Sequence, residues 1–415
     1  MLRRRRFWTA GALTALCLAA AGPVGAADVR QDQRWVLEKL NVEQAWRVTR
    51  GSGVTVALVD GGVDDHVAEL RGRIVLGPDM SSVELGRSRP EPGRHGTAMA
   101  SLIAGAGKGS GGLLGTAPEA RILSLPLVPA EVPEGDFIPP EEDLRARGDS
   151  PLARAIRYAA AHGAKVISMS LGAYRPHRAE REAVSYALSR GVVLVAAVGN
   201  DGDSEYAREH ATSFWNFPAG YSGVIGVGAV DSAGAPATFS SDNLSVLVSA
   251  PGMGVPVVAP GGEYGSSDGT SSAAALVAGV VALIKAKYPD IPPHMVAQAL
   301  ASTATSAPIA GYDDHIGFGV VDAGAALAKA GELTRGAARV PPADGGHFGR
   351  GPLPPEPARP GPDPFRLWLY GTGLTLGLLV FAGAVVVLTR RSEQAVPPAA
   401  DTAAGTAGHH RYGPD

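Results

Sequence analysis

The sequence predicts an α/β domain with a doubly wound, mostly parallel sheet covered by helices on both faces, followed by one C-terminal membrane-spanning helix. Two observations predict the sheet. Its strands are unbroken apolar runs, and they alternate with helical segments. Strands of this kind are typical of parallel sheets that are buried on both faces. A third observation, an uncharged stretch over residues 367–389, predicts the membrane helix.

The predicted elements follow one another along the chain from residue 54. The strands are "VTVALVD" (54–60), "ARILSLPLV" (120–128), "KVISMSLG" (165–172), "VVLVAAVGN" (192–200) and "VIGVGAVD" (224–231). The helices cover residues 95–107, 150–163, 178–191 and about 271–287. Ser150 is the predicted cap of the second helix, with Pro151 in its first turn. Ligands of such sheets bind beyond the carboxyl ends of the strands, which is where Asp60 and Asn200 fall.

The composition bounds the class of protein. With 415 residues, of which 45% are hydrophobic, the chain can bury a substantial core. Its formal net charge of −3 provides no basic field, which argues against nucleic acid as a partner.

The first 27 residues have the pattern of a secretory signal peptide. Arg3 to Arg6 form a basic region, Ala10 to Ala21 an apolar stretch, and cleavage is expected after Ala26 or Ala27. An uncleaved anchor is the alternative, but the apolar stretch is short for a membrane span. The only cysteine, Cys17, lies in this segment, so the mature chain is expected to hold no disulfide.

The mature chain divides into five further segments. These are an N-terminal extension (28–50), the main folded domain (51–330), a Pro/Gly-rich stalk (331–366), a transmembrane helix (367–389) and a tail (390–415). At 1.5 Å per residue the apolar segment spans roughly 34 Å, enough for a bilayer core. A buried core helix of this length would normally carry a polar face. Arg390 and Arg391 follow the helix and only Arg366 precedes it, which predicts a cytoplasmic C-terminus and an extracytoplasmic main domain.

An acidic, proline-rich insert covers residues 129–150. A solvated surface loop is the favoured interpretation. The alternative is a loop that borders a ligand cleft, since it follows the end of a predicted strand.

Four residues, in the order Asp60, His95, Asn200 and Ser271, have the chemistry needed to hydrolyse an amide. That reaction needs a nucleophile, a base, a group that orients the base, and donors for the oxyanion. Ser271 would attack, His95 would take its proton, and Asp60 would orient His95. Asn200 would donate to the oxyanion beside the Ser271 N–H. Taken singly, each residue is as well explained as a cap, a turn or a surface residue. The order Asp, His, Ser is one of three known for this geometry.

The segments around these residues resemble the conserved blocks of subtilisin-like serine proteases. The segments are "VALVDGGVDDHVAEL", "GRHGTAMASLIAG", "VLVAAVGNDG" and "SDGTSSAAALVAGVVAL". The resemblance implies a subtilisin-like fold and endopeptidase activity on protein or peptide substrates. Because the family's nucleophile follows Gly-Thr, it implies Ser271. "ISMSLG" (167–172) resembles the strand beside the S1 pocket, which implies that Ser170, Leu171 and Gly172 bind substrate.

Three departures from the family pattern bear on activity. Gly61 replaces a usual Ser or Thr and so removes a hydroxyl neighbour of Asp60. Ser272 replaces a bulky apolar residue and offers a second hydroxyl beside Ser271. Ala275 and Leu276 replace a usual Pro-His or similar pair. None of these changes removes a catalytic group.

The order of segments resembles the mycosins, membrane-anchored subtilases of type VII secretion systems. This resemblance implies type VII secretion components as partners, although mycosins often hold disulfides and this mature chain would have none. No cofactor is expected to be required, and no cluster of His, Asp or Glu predicts a catalytic metal. The resemblance allows a structural calcium ion without indicating its ligands.

The sequence therefore predicts a serine endopeptidase anchored in the cell membrane. It would cleave exported or cell-surface proteins through an acyl-enzyme. The alternative is a weakly active or inactive scaffold of a secretion complex with the same fold. A third hypothesis, an esterase with the same triad, is distinguished by comparing peptide with ester turnover.

Overall fold

The computed structural model describes residues 26–81, 92–127, 150–337 and 364–393. Most of the predicted signal peptide, the insert up to residue 149, most of the stalk and most of the tail lie outside these ranges.

The strands of the described residues form one large sheet and two hairpins. In chain order they are β1 (Thr55–Asp60), β2 (Ile74–Leu76), β3 (Ala106–Lys108), β4 (Gly111–Leu114), β5 (Arg121–Pro126), β6 (Val166–Met169), β7 (Val193–Ala197), β8 (Val224–Val230), β9 (Val246–Pro251), β10 (Val255–Val258) and β11 (Tyr264–Ser267). The large sheet has the order β2-β5-β1-β6-β7-β8-β9, and each neighbouring pair in it is parallel. The hairpins β3–β4 and β10–β11 are antiparallel. The parallel sheet confirms the predicted fold class.

The helices of the described residues connect and cover these strands. They are α1 (Ala26–Asp32), α2 (Arg34–Lys39), α3 (Val42–Trp46), α4 (Arg94–Ala104), α5 (Pro151–Ala161), α6 (Arg178–Ser189), α7 (Glu205–His210), α8 (Thr270–Lys287), α9 (Pro293–Ser302), α10 (Ala323–Ala337) and α11 (Pro364–Glu393). As predicted, Ser150 caps α5: its Oγ accepts a hydrogen bond of 3.1 Å from the Ala153 N–H.

The sheet separates two apolar layers. Along β1, Val56 and Leu58 belong to the layer that contains α4 and α8, whereas Ala57 and Val59 belong to the layer that contains α5 and α6. Successive side chains of a strand point to opposite faces, so an unbroken apolar run fills both layers. Helices therefore cover both faces of the sheet, as the sequence predicts.

Helix α8 lies in the core, and α4 packs against it. Gly279 of α8 lies so close to the Thr116 side chain that a Cβ at this position would overlap it. The Thr116 hydroxyl donates a hydrogen bond of 3.0 Å to the Leu276 carbonyl. These contacts fix the position of α8, and with it the position of its first turn.

The N-terminal extension packs on the main domain. The guanidinium of Arg30 donates to the carbonyls of Gly111 and Gly112 at the start of β4. The side-chain amide of Gln33 makes two hydrogen bonds with the backbone of Leu114. Its Nε2 donates to the Leu114 carbonyl at 3.0 Å, and its Oε1 accepts from the Leu114 N–H at 2.8 Å. The extension thus belongs to the same compact unit as the main domain, residues 1–341.

Helix α11 belongs to a second compact unit, residues 342–415. Within the described ranges, two helices are long and apolar enough to cross a membrane. One is Thr270–Lys287, whose apolar window is 83% buried in the core; the other is Phe365–Arg390, with a mean hydropathy of 2.2 and no buried residue. The burial of the first explains its apolar composition.

Candidate active site

Asp60 and His95 are hydrogen-bonded to each other. Asp60 is the last residue of β1 and only 2% exposed. The ring nitrogen Nδ1 of His95 lies 2.7 Å from Asp60 Oδ1. Because a carboxylate can only accept, Nδ1 carries the proton, so in the neutral form of the ring Nε2 is the acceptor. This is the tautomer that a general base needs.

Glycine allows the first turn of α4 to approach the end of β1. A Cβ on Gly96 would lie 2.5 Å from the Gly61 carbonyl oxygen and 2.7 Å from that of Gly62. These distances are too short for any side chain, so only glycine lets His95 come this near to Asp60.

The carboxylate of Asp60 is incompletely paired. Oδ1 accepts from His95 and also from the Gly61 N–H at 2.6 Å. Oδ2 is buried and has no partner among the described residues. Gly61, one of the departures from the family pattern, has no hydroxyl to offer to this oxygen.

Ser271 is the second residue of α8, as His95 is the second residue of α4. Since the two helices pack together, both side chains stand in the first turns of neighbouring helices. The N–H groups of a first helical turn have no acceptor within the helix, so the Ser271 N–H is available to a ligand. Ser271 is half-buried.

The neighbouring Ser272 has a different environment. It is fully buried, and its hydroxyl donates to the Ser267 hydroxyl at 2.9 Å. Its hydroxyl is therefore engaged inside the protein and closed off from a substrate in solution.

Asn200 is held with its amide nitrogen outward. Its Oδ1 accepts two hydrogen bonds of 2.9 Å, from the N–H and from the hydroxyl of Thr270. The amide nitrogen Nδ2 is therefore the free donor. A Cβ built on Gly269 would lie 3.4 Å from Asn200 Nδ2 and 3.8 Å from the Ser271 nitrogen. One point in space is thus close to both expected oxyanion donors, and glycine leaves it open.

The predicted substrate-binding residues Ser170, Leu171 and Gly172 directly follow β6 and are half-buried. The Ser170 hydroxyl donates to the Ser271 carbonyl at 3.3 Å. This contact brings the segment to the first turn of α8.

Sequence reasoning missed the residues that hold the site together. Thr270 fixes the amide of Asn200, and Gly96 admits His95 to Asp60. Asn216, Asp201 and Tyr174 form a hydrogen-bonded group beside the predicted substrate-binding segment. Asn216 lies 16 positions beyond Asn200 in an irregular loop, so no local pattern reveals its role.

Within the described part of the chain, one group of three side chains has the spacing of a metal site: Asp313, Asp314 and His315. Calcium prefers six to eight oxygen ligands. Here one donor is an imidazole that pairs with Asp314 Oδ1 at 3.1 Å, and Asp313 Oδ1 accepts from the His315 N–H at 2.8 Å. This donor set does not fit a calcium ion.

Comparison with known proteins agrees with this geometry. The model of the Subtilase family matches residues 51–319. The chain belongs to the subtilase family. Subtilases are serine peptidases, and the match covers the strands and helices that carry the site.

Individual relatives place the chain beside the mycosins within the subtilases. Mycosin-1 of Mycobacterium tuberculosis (strain ATCC 25618 / H37Rv) is 35% identical over 398 residues, covering 87% of this chain and 86% of the relative. Fervidolysin of Fervidobacterium pennivorans is 33% identical over 323 residues, 71% of this chain but only 44% of that protein. The crystal structure of MycP1 from the ESX-1 type VII secretion system has a TM-score of 0.58 and 27% identity, covering 75% of this chain and 88% of that one. The predicted resemblance to subtilisin-like mycosins is confirmed.

Proposed function

We propose that this subtilase is a membrane-anchored serine endopeptidase that cleaves exported or cell-surface proteins. The observation that carries the proposal is the 2.7 Å hydrogen bond between Asp60 and His95. It orients the imidazole in the first turn of α4, a helix that packs against α8, and Ser271 lies in the first turn of α8.

The reaction follows from these positions. His95 Nε2 takes the proton from the Ser271 hydroxyl as Oγ attacks the substrate carbonyl, and the Asp60 carboxylate stabilises the resulting imidazolium. The tetrahedral oxyanion accepts from Asn200 Nδ2 and the Ser271 N–H. When the C–N bond breaks, His95 returns the proton to the leaving amine. Water then attacks the acyl-enzyme by the same route and regenerates Ser271.

The substrate backbone would pair with the segment Ser170, Leu171 and Gly172. This segment continues β6 beyond the edge of the sheet, and Ser170 contacts the Ser271 backbone. An extended peptide on this segment would have its scissile carbonyl beside the first turn of α8.

Helix α11 would anchor the protease in the cell membrane, with the protease domain outside and the tail in the cytoplasm. Its apolar length and the two arginines after it support this orientation. Because Cys17 is the only cysteine, single-cysteine variants can report the topology. A membrane-impermeant maleimide on intact cells should label Ser189→Cys in the protease domain and spare Thr406→Cys in the tail. The reverse pattern would contradict the orientation.

Type VII secretion components are the proposed partners. The support is the likeness to Mycosin-1 over most of both chains and to MycP1 of the ESX-1 type VII secretion system. Co-purification from membranes after mild crosslinking should recover secretion components with the wild-type chain. The amount of these components recovered with a chain that ends before α11, compared with the amount recovered with wild type, would measure how far the association depends on α11.

Fluorophosphonate labelling of isolated membranes tests the enzymatic proposal. The probe phosphonylates a serine only where an assembled base and oxyanion site activate it. Wild type and Ser272→Ala should label, whereas Ser271→Ala should not. Ser272→Ala is the matched control, because it removes the adjacent hydroxyl. Absence of labelling in folded, anchored wild type would overturn the proposal and favour the scaffold alternative.

A further inference from the structure

Two neighbouring segments of the site leave the sheet side by side; we call the space between them the crevice and the two segments its walls. Strands β6 and β7 pair in parallel, so the segments that follow them leave the sheet at the same side, where the carboxyl ends of the strands lie. Residues 170–174 continue β6, and residues 199–201 follow β7. A peptide that runs along Ser170–Gly172, with its scissile carbonyl at Asn200, must direct the side chain before the scissile bond into this crevice. In the proposed function this crevice would be the S1 pocket, in agreement with the resemblance of residues 167–172 to the strand beside that pocket.

The Asn216 side chain lies between the two walls. It is 5% exposed, and its side chain touches both walls. A Cβ on Gly172 would lie 3.0 Å from Asn216 Oδ1, and a Cβ on Gly199 would overlap the amide nitrogen of Asn216. Gly199 also has a φ of +107°, which favours glycine on its own account. The two walls thus meet the amide closely on either side, and the amide occupies the space between them.

Hydrogen bonds hold the amide in this position. Nδ2 of Asn216 donates to the Val198 carbonyl at 3.2 Å and to Asp201 Oδ2 at 3.0 Å. The side chain is therefore fixed to the wall formed by residues 198–201. Moving it aside would break both bonds and leave a buried amide unpaired, which is costly.

A second bond crosses between the two walls. The hydroxyl of Tyr174 donates to the other carboxylate oxygen of Asp201, Oδ1, at 2.9 Å. Asp201 thus connects Tyr174, on one wall, to Asn216, which lies between the walls. Although Tyr174 is 57% exposed, partial burial of its hydroxyl, together with this bond to Asp201, raises its pKa to about 12. The hydroxyl therefore keeps its proton, and the crosslink persists, throughout the neutral pH range.

We propose that Asn216, fixed by Asp201 and Tyr174, restricts the S1 pocket to small side chains, so that the substrates are polypeptides cleaved after Gly, Ala or Ser. The inference rests on the proposed peptidase function and names its substrate class. A Leu or Phe side chain would have to displace the Asn216 amide or separate Tyr174 from Asp201.

Three peptides that differ only in the residue before the scissile bond, Ala, Leu or Phe, test the inference on the full-length protein in detergent. Wild type should cleave the Ala peptide with a kcat/KM at least about tenfold above that of the Phe peptide, the scale on which pockets discriminate by size. Asn216→Gly should shift this ratio at least about tenfold towards Phe. A loss of folded protein lowers all three rates equally, so the ratio reports the pocket alone.

A milder variant keeps the test decisive if Asn216→Gly folds poorly. Tyr174→Phe removes only the hydroxyl that crosses the crevice, and it should move the ratio a few fold in the same direction. Tyr158→Phe is the matched control: it removes a tyrosine hydroxyl on α5, and the ratio should not change. Wild type that cleaves after Phe as well as after Ala, or an unchanged ratio in both crevice variants, would overturn the inference.

Fluorophosphonate labelling separates this failure from failure of the proposed function, because it reports Ser271 without any S1 side chain. Labelling combined with a preference for Phe would overturn only the inference. If wild type is not labelled, calorimetry of the same three peptides with Ser271→Ala still compares their affinities for the pocket. Tighter binding of the Ala peptide would support the inference there, and tighter binding of the Phe peptide would overturn it.

Discussion

The Asn200 side chain is held so that it can donate in one direction only. If the amide turned over, Nδ2 would face the two donors on Thr270 that now bond Oδ1. Each lost bond would cost about 1 kcal/mol, and the facing donors would repel one another. The donor is therefore oriented before substrate arrives, which is the condition for stabilising charge that develops in the transition state.

Asn200→Ala should lower kcat by about 10²–10³-fold, the loss known for one such donor in subtilisin, with little change in KM. The reason is that the bond to the oxygen strengthens only as the oxyanion forms. Peptide hydrolysis at a known concentration of folded protein measures both constants. An unchanged kcat would exclude Asn200 from the oxyanion site.

Thr270 acts through Asn200, and its variants separate orientation from folding. Thr270→Ser keeps the hydroxyl, so it should keep near wild-type kcat. Thr270→Val removes one of the two bonds to Oδ1 and should lower kcat while KM changes little. Equal losses in both variants would indicate a packing defect at this buried position instead.

At the scale of the element, the far end of α8 carries a buried lysine. Lys285 is 2% exposed, and its ammonium donates to the carbonyls of Pro289 at 3.2 Å and Ile291 at 2.7 Å. These bonds tie the last turn of the helix to the loop that follows it. Burial, and secondarily the charge of Lys165, lowers the pKa of Lys285 to about 8.

The pH dependence of stability should reveal this lysine. Its folded-state pKa of about 8 lies below the ordinary value of 10.5. Between these values the unfolded chain binds more protons, so the free energy of unfolding rises with pH. Relative to Lys285→Met, wild type should gain on the order of 1–2 kcal/mol between about pH 8 and 10. Urea denaturation at several pH values measures the difference, and a difference independent of pH would contradict the shifted pKa.

The helices of the N-terminal extension depend on a few side chains for their attachment. Gln33→Ala leaves the Leu114 N–H and carbonyl without their partner, which should destabilise the domain by about 1–3 kcal/mol. Gln298→Ala, at an exposed position of α9, is the matched control and should change stability by less than about 0.5 kcal/mol. Thermal unfolding compares the two. Equal effects would mean that the two Gln33 hydrogen bonds do not stabilise the domain.

The elements that the sequence predicts are those with strong apolar patterns. Strand β7 is fully buried on both faces, and α8 is apolar from Ala273 to Ile284, so each gives an unambiguous signal. The missed elements lack such signals. Strand β11 reads Tyr264-Gly-Ser-Ser267, and β9 ends with serine, alanine and proline. These segments become strands because a neighbouring strand pairs with them, and such pairing leaves no apolar pattern in the residues of the segment itself.

The candidate site divides in the same way. Asp60, His95, Asn200 and Ser271 stand in segments whose residue order is informative. Their supports are non-local: Thr270 lies 70 positions from Asn200, and the Asn216 amide meets Gly172 only in the folded chain. Chemistry that local order encodes could be predicted, whereas the shape of the pocket depends on distant loops.

At the scale of the whole molecule, the protease domain and α11 belong to separate compact units, residues 1–341 and 342–415. The protease unit contains its own core, including the packed extension. A chain that ends at Pro341 should therefore fold, leave the membrane fraction and retain fluorophosphonate labelling equal to that of the full chain in detergent. Its unfolding temperature should match as well, because the residues of the hydrophobic core all lie within this unit. The exposed apolar helix of the second unit predicts attachment to the bilayer and no more. Weaker labelling or a lower unfolding temperature of the truncated chain would show that this unit also stabilises the protease domain.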